Sequence, residues 1–308
     1  MASYERFYDP SVLARVQRLE LRAKMVVEGI ITGMHKSPYH GQSVEFVDHR
    51  AYVPGDDTRH IDWKVLGRAD RIVLKRYEEE TNLRGHVLLD SSESMRYAAP
   101  SAPRGQAGLT KFEYAGTLAA SIAYLLQRQH DKVGLTLFDS QVRASLPPST
   151  HPTTLIRLAQ LMDQTPPAGK TGLGRVLEEI ADSTPRRGLV VVISDLFAPV
   201  PEIASGLGAF ALRRHDVIVF HVLDETELTF PFEGNTLFHG LEDYPEIVAD
   251  PRSLREAYME ALAEYLDGVE KACSTLGINY LRTHTGEPLD AAVVSVIAAR
   301  ARLGRHYR

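Results

Sequence analysis

Three apolar runs do most to limit the folds open to this chain. Val87-Leu88-Leu89 stops at Asp90. Leu189 to Ile193 stops at Ser194-Asp195. Val217 to Phe220 continues through His221 to Leu223. None alternates as a half-exposed strand would, so each reads as a strand covered on both faces. Segments with helical spacing lie between them. "TKFEYAGTLAASIAYLLQRQH" carries Phe112, Ala115, Ala119, Ile122 and Leu126 on one face, behind a capping box of Thr110 and Glu113.

The alternation continues along the chain. "KVGLTLF" and "INYLRTH" read as strands. "PTTLIRLAQLM", with Pro152 in its first turn, "GLGRVLEEIAD", "IASGLGAFALRR" and "PLDAAVVSVIAARAR" read as helices. "SLREAYMEALAEYLDGVEKACSTLG" predicts a long helix, capped by Ser253 and Glu256 and stopped by Gly277. The expected class is α/β: a doubly wound, mainly parallel sheet with helices on both faces. Ligands of such sheets bind at the carboxyl ends of the strands.

Residues 1–83 lack this rhythm. "PSVLARVQRLELRAKMVVEGI" is an amphipathic helix by spacing. "SVEFVDHRAYVPGDDTRHIDWKVL" and "RIVLKRYEEE" look like short strands around a tight turn at Pro54-Gly55. The expectation is an N-terminal appendage over 1–83 and a main domain over 84–308, with an irregular insert at about 224–251.

Composition excludes several roles. A formal net charge of −5 is too near neutral for an electrostatic nucleic-acid binder, and the basic "ARARLGRHYR" end reads as a solvated helix terminus. The single cysteine, Cys273, builds no disulfide framework and fits a reducing compartment. The N-terminus has no apolar signal core, and no run reaches the roughly 20 apolar residues of a membrane helix. The expected location is the cytoplasm, without membrane insertion.

The first strand ends in Asp90, Ser91, Ser92, Glu93 and Ser94, a crowd of small oxygen donors. A P-loop does not explain the later Gly169-Lys170-Thr171, because the required earlier glycine is Gln164 and Pro166 and Pro167 remove backbone donors. A haloacid dehalogenase-type phosphatase needs a second aspartate where Ser92 stands. There is no Gly-x-Ser-x-Gly elbow and no His-Glu-x-x-His pair, and His215, His221 and His284 read as packed or capping residues.

A divalent-cation site accounts for more. Asp90, Ser92 and Ser94 can converge from one tight loop. Thr171 opens a helix after a proline-rich turn, and Asp195 follows the most apolar strand. Hard oxygens of this kind suit Mg²⁺, with Mn²⁺ and Ca²⁺ as alternatives. Two facing carboxylates would raise each other's pKa, a penalty that a cation removes. The competing reading is local: Asp90 and Ser92 cap the next element, and Asp195 caps its own helix.

These five residues resemble the metal-ion-dependent adhesion site of the von Willebrand factor A fold, which has Asp-x-Ser-x-Ser, a threonine and an aspartate on three loops. The resemblance implies that the serines bind metal directly, that the aspartates often act through water, and that one position stays open for an acidic group of a ligand. "VEFVDHRAYVPGDDTRHIDWKVLGRADRIVLKRYEEE", "FPFEG" and "LREAYMEALAEYL" resemble the domain of unknown function 58 family of bacteria, from about residue 40 to the C-terminus. Such proteins are typically encoded beside MoxR-type AAA+ ATPases. Many carry transmembrane helices before this region, and residues 1–40 contain none by sequence, so anchoring is not carried over.

Within that stretch, Asp56, Asp57, Arg59 and Asp62 flank a turn next to Trp63, the sole tryptophan. One reading is a charge-paired turn that pins the appendage to the main domain, with Trp63 as apolar anchor. The other is a docking surface, since Arg and Trp are enriched at interface hot spots. The resemblances imply a non-enzymatic, metal-dependent binding module. It would be an adaptor or co-chaperone of a MoxR-type AAA+ ATPase that captures an acidic side chain of a client protein. The alternative is a metal-dependent phosphohydrolase using Asp90, although the neighbouring loops supply mainly hydroxyls.

Overall fold

A computed structural model describes residues 46–53, 61–69, 71–77, 83–98, 109–242, 244–289 and 291–294. They fall into two compact units, one within residues 46–77 and one from Leu83 onward.

In the smaller unit, β1 (Phe46–Ala51) pairs antiparallel with β2 (Val73–Tyr77). Between them lies α1 (Trp63–Ala69), so the segment expected to be a strand through Trp63 is helical there. Asp62 starts this helix: its carboxylate accepts from Val65 N at 3.3 Å, and its carbonyl accepts from Leu66 N at 3.1 Å. Ile61 and Leu74 are buried, whereas Trp63 is 65% exposed and does not anchor this unit's core. The turn at Pro54-Gly55, the residues Asp56, Asp57 and Arg59, and the helix expected before residue 40 lie outside the described residues.

The larger unit is built on β3 (Arg84–Asp90), β4 (Lys132–Phe138), β5 (Val142–Ser149), β6 (Leu189–Ser194), β7 (Asp216–Leu223) and β10 (Asn279–His284). They form one sheet in the order β10-β7-β6-β3-β4-β5, parallel throughout except for the antiparallel edge strand β5. Strand order reverses between β3 and β6, the switch point at which such sheets open a crevice.

Successive strand residues serve opposite faces. Val87 and Leu89 pack with α2 (Lys111–Arg128) and α3 (Thr154–Gln164) on one side. Leu88 packs with α4 (Leu173–Ser183), α5 (Val200–Leu212) and α7 (Pro251–Thr275) on the other. Both faces are covered, which is why the apolar runs are continuous.

Two expectations are corrected. The long helix α7 begins at Pro251 behind Asp250, whose side chain accepts from Arg252 N at 3.1 Å, so Ser253 and Glu256 lie inside it. Pro at the first helical position loses no needed donor, which favours the earlier start. Gly277 does end it, at φ 67°. The insert is not wholly irregular either: it holds α6 (Glu225–Thr229) and the antiparallel pair β8 (Thr236–Phe238) and β9 (Ile247–Ala249).

The edge strand β5 escaped the sequence pattern because it contains Pro147 and Pro148, which suit only a sheet edge. Its close approach to β4 needs Gly134: a Cβ there would stand 2.6 Å from Leu146 O and 2.7 Å from Pro148 N.

Candidate metal centre

The carboxyl ends of β3 and β6 bring Asp90, Ser92, Ser94 and Asp195 together, all buried. The turn after β3 is tight because Asp90 Oδ1 accepts from Ser92 N at 2.9 Å, leaving a short 3-10 helix at Glu93–Arg96. Ser92 Oγ and Ser94 Oγ face each other at 3.0 Å. The other Asp90 oxygen accepts from Ser194 Oγ at 2.5 Å, which ties β3 to β6.

Beyond β6 the chain turns sharply. Leu196 has φ 52°, a left-handed conformation unusual for a bulky residue. Its N–H donates to Ser194 Oγ at 2.8 Å, and Tyr265 from α7 donates its hydroxyl to Leu196 O. This turn carries Asp195 past the end of β6, where its Oδ1 accepts from Phe197 N at 3.3 Å.

Charge is unevenly distributed among these groups. Burial first, and then the negative charge of Asp195, push the Asp90 carboxyl well above the ordinary range, against opposing hydrogen bonds from Ser194 and Ser92. Burial also pushes Asp195 upward, but the Lys111 ammonium outweighs it and holds this carboxyl below its usual value. Lys111 Nζ donates to Asp195 Oδ2 at 2.8 Å and to Glu227 Oε1 at 3.0 Å.

Lys111 belongs to neither the expected ligand set nor the expected hydroxyl-rich surroundings. It does carry a local sign. A lysine at the first residue of α2 sits at the positive end of the helix dipole, where a cation is disfavoured unless a carboxylate compensates. Two do so here. Glu227 is held in turn as the capping-box partner of Asp224, whose N–H donates to Glu227 Oε2 at 2.6 Å.

Thr171 reaches the centre on a loop pinned to the β3 turn: Ala168 N donates to Ser91 O at 2.9 Å, and Glu93 N donates to Gly169 O at 2.8 Å. Gly169 takes φ 79° in this loop, so "GKT" forms a turn against the β3 end. Thr171 meets the other candidates through Glu242, a residue the sequence reading did not single out. Glu242 Oε1 accepts from Thr171 Oγ1 at 2.8 Å and from Ser94 N at 3.4 Å, and Oε2 accepts from Thr171 N at 3.0 Å.

The donor chemistry fits a small divalent cation. Two carboxylates and two hydroxyls meet in a buried space, and the Asp90 carboxyl is raised first by its burial and then by the charge of Asp195, a penalty that a bound cation would relieve. Asp90, Ser92, Ser94 and Asp195 would hold the ion, and Thr171 stands across from Ser94. Lys111 already neutralises part of the charge on Asp195, which lowers the attraction available to an ion. Among the described residues there is no grouping of three or more His, Cys, Asp or Glu with metal-binding geometry, so a metal here would depend on hydroxyl ligands.

Sheet order and switch point define an α/β protein with a doubly wound, mainly parallel six-stranded sheet. More particularly, the chain belongs to the family described as "Protein of unknown function DUF58", which matches residues 48–266. An uncharacterised protein of Mycobacterium tuberculosis is 27% identical over 299 residues, covering 96% of this chain and 91% of that protein. A Mycobacterium bovis protein matches equally.

Among solved structures, an aerotolerance-related membrane protein from Bacteroides fragilis is 20% identical with a TM-score of 0.48, covering 71% of this chain and 99% of that one. BatB from Bacteroides thetaiotaomicron is 19% identical with a TM-score of 0.45, covering 72% and 99%. The SpRpn10 VWA domain is 12% identical with a TM-score of 0.39, covering 70% and 94%. Among the described residues, no helix is long and apolar enough to cross a membrane.

Proposed function

We propose that this chain is a non-enzymatic protein-binding module that captures an acidic side chain of a partner through a divalent cation. Asp90, Ser92, Ser94, Thr171 and Asp195 would form its metal-ion-dependent adhesion site, with Mg²⁺ as the ion and Mn²⁺ or Ca²⁺ as substitutes. The observation that carries this reading is the meeting of Asp90, Ser92, Ser94 and Asp195, all buried, at the sheet's switch point. The bound ion would supply a Lewis-acidic position for a carboxylate oxygen. The chain's residues would orient that position and exclude water around it.

Working in the cytoplasm, the module would act as an adaptor or co-chaperone of a MoxR-type AAA+ ATPase, a partner suggested by the family's usual gene neighbourhood. The exposed Trp63 offers a second contact surface for that partner.

The alternative of a phosphohydrolase with Asp90 as nucleophile has less support. Asp90 is fully buried, and its two oxygens are engaged by Ser92 N and Ser194 Oγ.

The test is a calorimetric titration against a MoxR-type AAA+ ATPase, with and without chelator. Ser94→Ala and Thr171→Ala are expected to weaken the complex without unfolding the protein, and chelator to weaken the wild type to a similar level. Equal affinity with and without chelator would refute metal-dependent capture and move attention to the exposed Trp63.

A further inference from the structure

Glu242 comes from the insert between β7 and α7, yet its carboxylate lies on the two loops that bear Ser94 and Thr171. It takes three hydrogen bonds there, from Thr171 Oγ1 at 2.8 Å, Thr171 N at 3.0 Å and Ser94 N at 3.4 Å. The residue is only 7% exposed. Its backbone N–H donates to Glu93 Oε2 at 3.3 Å, so the β3 loop grips it twice.

The backbone of Glu242 has φ 56°, a left-handed conformation that a non-glycine residue keeps when other contacts hold it. A surface turn with no task would place Gly or Asn at such a position and leave a glutamate in water. Here a carboxylate is buried against a threonine hydroxyl and two backbone donors, beside the cluster proposed to hold a cation. That is the chemistry expected of an acidic ligand entering the site from outside.

We infer that Glu242 is the site's own acidic ligand, holding the place of a partner's carboxylate, and that a partner binds by displacing it. This rests on the metal-dependent capture reading and deepens it. A tethered carboxylate competes with a free one at a high effective concentration, so the resting chain would resist casual acidic ligands.

Little regular structure flanks Glu242. Its flanks, β8 and β9, are three residues each. Leu237, Tyr244, Ile247 and Val248 are exposed, and Phe197, two residues past Asp195, meets Tyr244 edge-on with ring centroids 5.9 Å apart. The Phe197–Tyr244 ring pair fits a partner acid flanked by apolar residues, which cover the rings as its carboxylate replaces that of Glu242.

The test compares wild type, Glu242→Gln and Glu242→Ala. Mn²⁺ binding is first measured by electron paramagnetic resonance. Each Mn²⁺-loaded protein is then titrated with a short peptide carrying one glutamate between leucines, and with the same peptide carrying glutamine. Both variants are expected to bind the glutamate peptide about tenfold or more tightly than wild type, with no gain for the glutamine peptide and loss of binding in chelator. Glu242→Gln keeps the shape of the side chain, so it reports even where Glu242→Ala disturbs the turn. If all three proteins bind Mn²⁺ and the peptide affinity is unchanged or absent in both variants, Glu242 is not holding a ligand's place. If none binds Mn²⁺, the metal reading itself fails, and this inference fails with it.

Discussion

Lys111 and Asp195 form a buried ion pair, Nζ to Oδ2 at 2.8 Å, with the two side chains 3% and 2% exposed. The same ammonium also meets Glu227 of the insert at 3.0 Å and lies over the Tyr97 ring, 5.8 Å from its centroid. One cation thereby joins the start of α2, the loop after β6 and α6 of the insert. Burial works against its charge, but the two carboxylates outweigh that and hold its pKa above the ordinary lysine value.

Lys111→Met should therefore destabilise the fold strongly. It leaves Asp195 and Glu227 buried without their cation, and breaking one side of a buried pair costs about 3–5 kcal/mol. Urea unfolding in chelator should show that loss. Millimolar Mg²⁺ should recover part of it, because Asp195 then faces the ion alone. A variant as stable as wild type in chelator would mean that Lys111 is not the counter-charge holding these loops together.

Asp90→Asn should separate the fold from metal binding. In chelator the variant should melt close to wild type, since the amide keeps the side chain's shape and removes a carboxylate that burial and Asp195 disfavour. Adding Mg²⁺ or Mn²⁺ should raise the melting temperature of wild type alone. Mass action gives about 2.7 kcal/mol at a hundredfold excess over Kd. A wild-type melting curve unmoved by either ion would remove the metal centre.

No Asp90-dependent turnover is expected from the Mg²⁺-loaded protein on phosphate esters or nucleotides. A colorimetric phosphate assay on wild type and Asp90→Asn checks this. Steady hydrolysis lost in the variant would favour the phosphohydrolase instead.

Acid should weaken the fold through His86 on β3. Its Nε2 bonds with Thr136 Oγ1 at 2.9 Å, and burial, with the nearby positive charge of His215, lowers its pKa from 6.5 to about 4. Between those values the unfolded chain binds the proton and the folded chain does not. The contribution is thus complete above about pH 6.5 and is lost progressively as pH falls toward about 4. His86→Gln should flatten the fall of the urea midpoint across this window. Some slope should remain from His215, whose pKa is lowered mainly by burial. Identical slopes in wild type and variant would show that His86 does not titrate in this way.

The sequence by itself determined the central strands and their carboxyl ends. Continuous apolar runs can be satisfied only under cover on both faces, so β3, β6 and β7 were legible from Val87, Val191 and Val219 and their neighbours. The Thr110–Glu113 capping box was legible because its contacts span three residues. Asp90, Ser92 and Ser94 were legible for the same reason: they share one turn. Tertiary structure decided what surrounds them. Lys111 finds Asp195 across 84 residues and Glu227 across 116, while Glu242 reaches Thr171 across 71 and Ser94 across 148. Local spacing carries no trace of such pairs, because they form only after the sheet has fixed which strand ends are neighbours. Burial then turns a surface-like lysine or glutamate into a charge that must have a partner.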